Sequence, residues 1–260
     1  MTLLREILPK SPMDPRPLID GPEKIGIFWS AKSGCTAVLL WFYQRIGKKE
    51  AALSFSSWPH DYRERVLYPS PEYQEWLATC DVDKTRWLRV IRDPYKRAVS
   101  SFRHAVQFGY MDKHLAPFLE HPVGHASTGI SFKEFLMFLK NRGTYHDIHN
   151  FPQRHALEEF MPNLFVLNID NVPLSEGLSN FEKYSELDPV EKHQGPLITP
   201  VGVDHRAKTF ATDENYFARR MTKKDTTEAW PVSEAFLNAE ARDLVQQIYA
   251  VDFDAYAEHL

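Results

Sequence analysis

Between residues 32 and 36 the chain places Lys32, Ser33, Gly34, Cys35 and Thr36, with an apolar run before them at 25–29 and a longer one after them at 37–43. The order reads as strand, tight polar loop and buried helix. Gly34 has no side chain, so backbone N–H groups can approach a ligand closely. A helix N-terminus carries unpaired N–H groups and a partial positive charge, and Lys32 adds a full one. Ser33 and Thr36 contribute hydroxyls. Together these form an anion cradle, and phosphate is the anion it suits. Taken alone, the segment also reads as a strand-to-helix turn that binds nothing.

A second junction of the same kind begins at Arg92, after the apolar strand at 86–91. Asp93 is a good N-cap and Pro94 suits the first helical position, so a helix is predicted from Pro94 to about Phe108, with Gly109 as its stop. Arg92 ends the strand, and Ser100 lies two helical turns into the helix. The chain lacks GxxxxGK[ST] and has no evident acidic Mg²⁺ ligand after a second apolar strand. Two separate phosphate sites therefore fit better than ATP.

Taken together, Ala31-Lys32-Ser33-Gly34-Cys35-Thr36 and the Arg-Asp-Pro-x-x-Arg-x-x-Ser-x-Phe pattern at 92–102 resemble the PAPS-dependent sulfotransferases, in particular the carbohydrate-type branch (sulfotransferase family 2). The likeness is close over about 25–110 and looser beyond, where it rests on His149-Asn150-Phe151-Pro152-Gln153 and the closing 248–253. Ala31 departs from the usual proline. The lack of the anchor seen in Golgi relatives suggests a soluble, bacterial-type member.

The resemblance implies 3′-phosphoadenosine 5′-phosphosulfate (PAPS) as donor, adenosine 3′,5′-bisphosphate (PAP) as product and no metal. It implies that Lys32 and the backbone N–H groups of Ser33, Gly34, Cys35 and Thr36 hold the 5′-phosphosulfate, with the Thr36 hydroxyl assisting. Arg92 and Ser100 would hold the 3′-phosphate. Lys32 would also neutralise charge on the departing bridging oxygen. A general base is needed, and histidine suits it near neutral pH. Among eleven histidines, His60 is the first choice by its place after a second strand candidate at 51–55. His104, His149, Asp61 and Glu64 are alternatives.

The elements around these residues predict an α/β fold, a three-layer P-loop-like domain whose mainly parallel central sheet is flanked by helices. Its ligand crevice should lie at the carboxyl ends of the strands. Strands are expected at 25–29, 51–55, 86–91 and 164–167, and an amphipathic helix carries Phe132, Phe135, Leu136 and Leu139 on one face. Residues 1–22 read as an extended lead-in, 23–260 as one domain, and 187–231 as a long loop over the site.

The chain has 260 residues, 43% of them hydrophobic, enough for a sizeable core. A net charge of −4 argues against general nucleic-acid binding. Two cysteines, one of them inside the cradle, fit a reducing compartment. No run is long and apolar enough for a signal peptide or membrane span, so the expected location is the cytoplasm. The expected partner is a small-molecule or glycan hydroxyl. Two other readings stand beside this one: a divergent P-loop kinase or NTPase, and a non-catalytic PAP-binding module. The basic group Arg219, Arg220, Lys223 and Lys224 reads as a solvated face or as a contact for an anion.

Overall fold

The structure is a computed structural model that describes residues 2–7, 15–120, 128–190, 208–227 and 229–260. It divides the chain into two compact units, each discontinuous in sequence. The first comprises 1–91, 153–205 and His259; the second comprises 92–152, 206–258 and Leu260. Along the sequence the boundaries between the units fall at 91/92, 152/153 and 205/206, and on either side of His259.

The first unit is built on a four-stranded sheet in the order Leu18–Asp20, Ile25–Phe28, Arg86–Ile91, Leu164–Asn168. The edge pair is antiparallel and the other two pairs are parallel. The chain is thus a mixed α/β protein with a mostly parallel central sheet and helices. The central strand, Arg86–Ile91, is buried at every residue after the first, as a strand covered on both faces must be. Gly26 pairs with Trp87, whose ring would lie only 2.2 Å from a Cβ at position 26. A glycine is therefore what lets the indole lie across the neighbouring strand.

Two elements differ from expectation. Residues 51–55 are helical, within Lys49–Phe55, and not a strand. Ala-Ala-Leu has strong helix propensity, and a five-residue apolar run does not distinguish the two by periodicity. Residues 1–22 are not wholly an extended lead-in: Leu4–Ile7 is helical and Leu18–Asp20 is the edge strand of the sheet. Three residues are too few to show alternation.

The second unit opens with the Pro94–Phe108 helix, N-capped by Asp93, which accepts from Lys96 N at 3.0 Å, and closed by Gly109 at φ 64°. Its buried face, including Ala98, Phe102 and Ala105, joins Phe132, Phe135, Leu136 and Leu139 of the Phe132–Arg142 helix in one core. The Ala239–Ile248 helix adds Ala241, Leu244 and Val245. Of 187–231, residues 191–207 and 228 lie outside the described residues, and the remainder includes three two-residue strands.

Candidate active site

The loop between the Ile25–Phe28 strand and the Cys35–Arg45 helix turns through two left-handed residues, Lys32 at φ 69° and Gly34 at φ 76°. A left-handed lysine is strained, and such strain persists where the surroundings enforce it, often at binding sites. Alternating hand along a turn aims successive N–H groups into one concavity, the arrangement that holds anions. Gly34 offers the helix no side-chain cap, and the first helical bond runs from Val38 N to Gly34 O at 3.1 Å. The N–H groups of Cys35, Thr36 and Ala37 come before that bond. Cys35 and Cys80 are free thiols.

The two hydroxyls of the loop have different duties. Ser33 is buried; its Oγ donates to Gln153 Oε1 at 2.8 Å and accepts from Ser30 Oγ at 3.2 Å. Its side chain fastens the loop, and its backbone N–H makes a long bond within the same turn, to Ser30 O at 3.4 Å. The Thr36 Oγ1 lies 3.0 Å from His60 Nε2. Loop and histidine are therefore brought together, although 24 residues separate them.

His60 sits in the short Pro59–Tyr62 helix, anchored where Tyr43 donates to Pro59 O at 2.9 Å. The ring is 6% exposed. Its Nδ1 is 3.0 Å from Arg63 Nη1. A guanidinium has donors only, so Nδ1 accepts and the ring proton is on Nε2, directed to Thr36. Both ring nitrogens are thus engaged. Arg63 had no place in the sequence reading. Its guanidinium stacks 3.8 Å over Trp29 and meets Glu64 Oε1 at 2.8 Å through both Nε and Nη2.

Arg92 and Ser100 belong to the second unit. Arg92 immediately follows the central strand, and Ser100 lies half-buried on the Pro94–Phe108 helix. On the same helix Ser101 Oγ donates to His149 O at 3.0 Å, and Arg97 donates to Phe151 O at 2.6 Å. This ties down the segment whose His-Asn-Phe-Pro-Gln pattern the sequence singled out. His149 Nδ1 donates to Asp147 Oδ1 at 2.5 Å, so in the neutral ring the lone pair is on Nε2. Burial opposes the charge on Asp147, but hydrogen bonds from the His149 ring and backbone outweigh it and hold the carboxyl below its usual range. The His104 ring lies 4.1 Å from that of His149.

In the C-terminal basic group, Arg220 Nη2 meets Glu134 Oε1 at 2.6 Å and Arg219 Nη1 meets Glu214 Oε2 at 3.2 Å. Among the described residues no group of three or more His, Cys, Asp and Glu is arranged to hold a metal ion. No helix there is long and apolar enough to cross a membrane.

The sheet, mostly parallel, and the helices around it define a mixed α/β protein, in which one strand runs through a doubly left-handed turn into a helix without a side-chain cap. The model of the Sulfotransferase family, Sulfotransfer_2, matches residues 31–257, and the chain belongs to that family. No curated protein and no solved structure matches the chain.

Proposed function

We propose that this protein is a P-loop-like sulfotransferase that moves the sulfuryl group of PAPS to a hydroxyl of a carbohydrate or small molecule. The acceptor oxygen forms a bond to sulfur, the bond from sulfur to the bridging oxygen breaks, PAP departs and the acceptor proton passes to a base. The observation that carries this reading is the Lys32–Thr36 turn, with its two left-handed residues, in a chain of this family. Ser33 to Thr36 hold the 5′-phosphate through backbone N–H groups. Lys32 neutralises charge as the bridging oxygen gains it. Arg92, a planar donor fork with a permanent charge, and Ser100 take the 3′-phosphate.

The thermal midpoint tests the donor. PAP is expected to raise it more than ATP, ADP or NAD, because a ligand that binds only the folded chain adds about 2.7 kcal/mol at a hundredfold excess over Kd. A shift with ATP that equals or exceeds the PAP shift supports the kinase reading instead. PAP binding with no sulfate transfer to any acceptor in a metabolite or glycan extract supports the non-catalytic module.

His60 is the base that the sequence favours. One observation supports a second reading: Arg63 fills the His60 Nδ1 lone pair, whereas His149, steadied by Asp147, keeps the lone pair of Nε2. On that reading His149→Gln lowers turnover by roughly a hundredfold or more, the usual scale for loss of a base, with PAP affinity unchanged. His60→Gln, which keeps an N–H donor but cannot titrate, has the smaller effect. The reverse ranking, read from steady-state kinetics with one identified acceptor, returns the role to His60.

A further inference from the structure

We propose that Arg63 is a positioning residue: acting through His60, it sets the direction in which the Thr36 hydroxyl donates. The inference deepens the reading of the Lys32–Thr36 turn as an anion site and rests on it. Three groups stand in a line. Arg63 Nη1 donates to His60 Nδ1 at 3.0 Å, and His60 Nε2 donates to Thr36 Oγ1 at 3.0 Å. A threonine hydroxyl has one proton. With its oxygen accepting from His60, that proton is left to donate onward, and among the described residues Thr36 Oγ1 has no other hydrogen-bond partner. The anion that the turn cradles is the acceptor this arrangement prepares for. Linked donors also polarise one another, so the guanidinium charge strengthens the last bond in the line.

The far end of the line is held firmly. Arg63 is 5% exposed, faces the Trp29 ring on one side and shares Glu64 Oε1 between two of its nitrogens. Trp29 is itself fixed, donating from Nε1 to Arg16 O at 2.9 Å. Arg63 also opens a wide helical turn, Arg63–Leu67, in which Tyr68 N bonds to Arg63 O at 2.9 Å. Wide turns of this kind recur at functional sites. The spacing of His60 and Arg63, three residues apart on consecutive helical turns, puts them on one face. A guanidinium held this way makes the other ring tautomer unfavourable, because Nδ1–H would point at an N–H donor.

Two measurements on the full chain test this. The first is ¹⁵N-edited NMR of the His60 ring at neutral pH without ligand. Wild type is expected to show the Nε2–H tautomer, and Arg63→Met a mixture of tautomers. Arg63→Lys, which retains a donor, is expected to restore Nε2–H. An Nδ1–H ring in wild type, or a ring unchanged by Arg63→Met, overturns the proposal. The second is a double-mutant cycle on PAP affinity by titration calorimetry. Arg63→Met and Thr36→Ala are each expected to weaken PAP by about tenfold, the scale of one hydrogen bond to a charged group. The pair together should be no weaker than Thr36→Ala alone, since Arg63 acts through that hydroxyl. Additive losses mean a general structural role and overturn it. Wild type that binds no PAP defeats the proposed function instead, and the ring tautomers then decide the relay by themselves.

Discussion

Lys32→Ala is expected to lower turnover by roughly a hundred- to a thousandfold, the usual cost of removing one preorganised donor from a developing oxyanion. PAP affinity should change far less, because the ammonium matters most when the bridging oxygen becomes a full anion. Arg92→Ala should divide the other way: PAP binds more weakly, by the roughly 1.5–3 kcal/mol of a charge-assisted bond, while turnover at saturating donor stays close to wild type. The conformation of Lys32 supplies a control. At φ 69° it occupies backbone space that favours glycine, so Lys32→Gly removes the same ammonium while relieving strain. Both variants should lose the same turnover, with Lys32→Gly unfolding no earlier than Lys32→Ala. Near-normal turnover in either variant, measured at saturating PAPS, would sink the role given to Lys32.

How far the sequence alone reaches depends on how local each signal is. The Pro94–Phe108 helix was fully legible, because Asp93, Pro94 and Gly109 act within a turn of their own positions. So was the buried face of the Phe132–Arg142 helix, where the spacing of Phe132, Phe135, Leu136 and Leu139 is itself the signal. The Lys49–Phe55 helix was missed because a short apolar run suits either structure, and the Leu18–Asp20 strand because an edge strand of three residues borrows its definition from its partner.

At the site, residue types pointed to the Lys32–Thr36 turn, and His60 was singled out from its position in the chain. Partnerships were out of reach. Ser33 spends its hydroxyl on Gln153, 120 residues away, which no spacing rule anticipates. His60 suits proton transfer by type, yet its hydrogen bonds follow from Arg63, an unremarked arginine one helical turn on. A weak hint did exist: the i, i+3 spacing of a histidine and an arginine directly after Trp58-Pro59 places them on one face.

Glu158→Ala is expected to destabilise the fold by about 3–5 kcal/mol, the cost of leaving one partner of a buried ion pair behind. Arg89 lies in the middle of the central strand with its side chain 1% exposed, and its Nε meets Glu158 Oε1 at 3.2 Å, where the carboxylate is fully buried. The same oxygen accepts from His155 N at 2.8 Å, so the substitution also removes one half of the capping box of the Ala156–Phe160 turn, leaving the bond from Leu157 N to His155 Nδ1. Domains of this kind have roughly 5–15 kcal/mol in total, which makes the loss a large fraction. Glu158→Gln keeps an oxygen for both donors and removes only the charge, so it should fall between wild type and Glu158→Ala. The effect reaches the site by register: Arg89 pairs with Phe28, the last strand residue before the Lys32–Thr36 turn. Loss of activity in Glu158→Ala should therefore track unfolding, and PAP should partly restore the midpoint by mass action. Urea titration measures it, and a loss below about 1 kcal/mol, the scale of an exposed pair, would mean that the Arg89 charge is relieved in some other way.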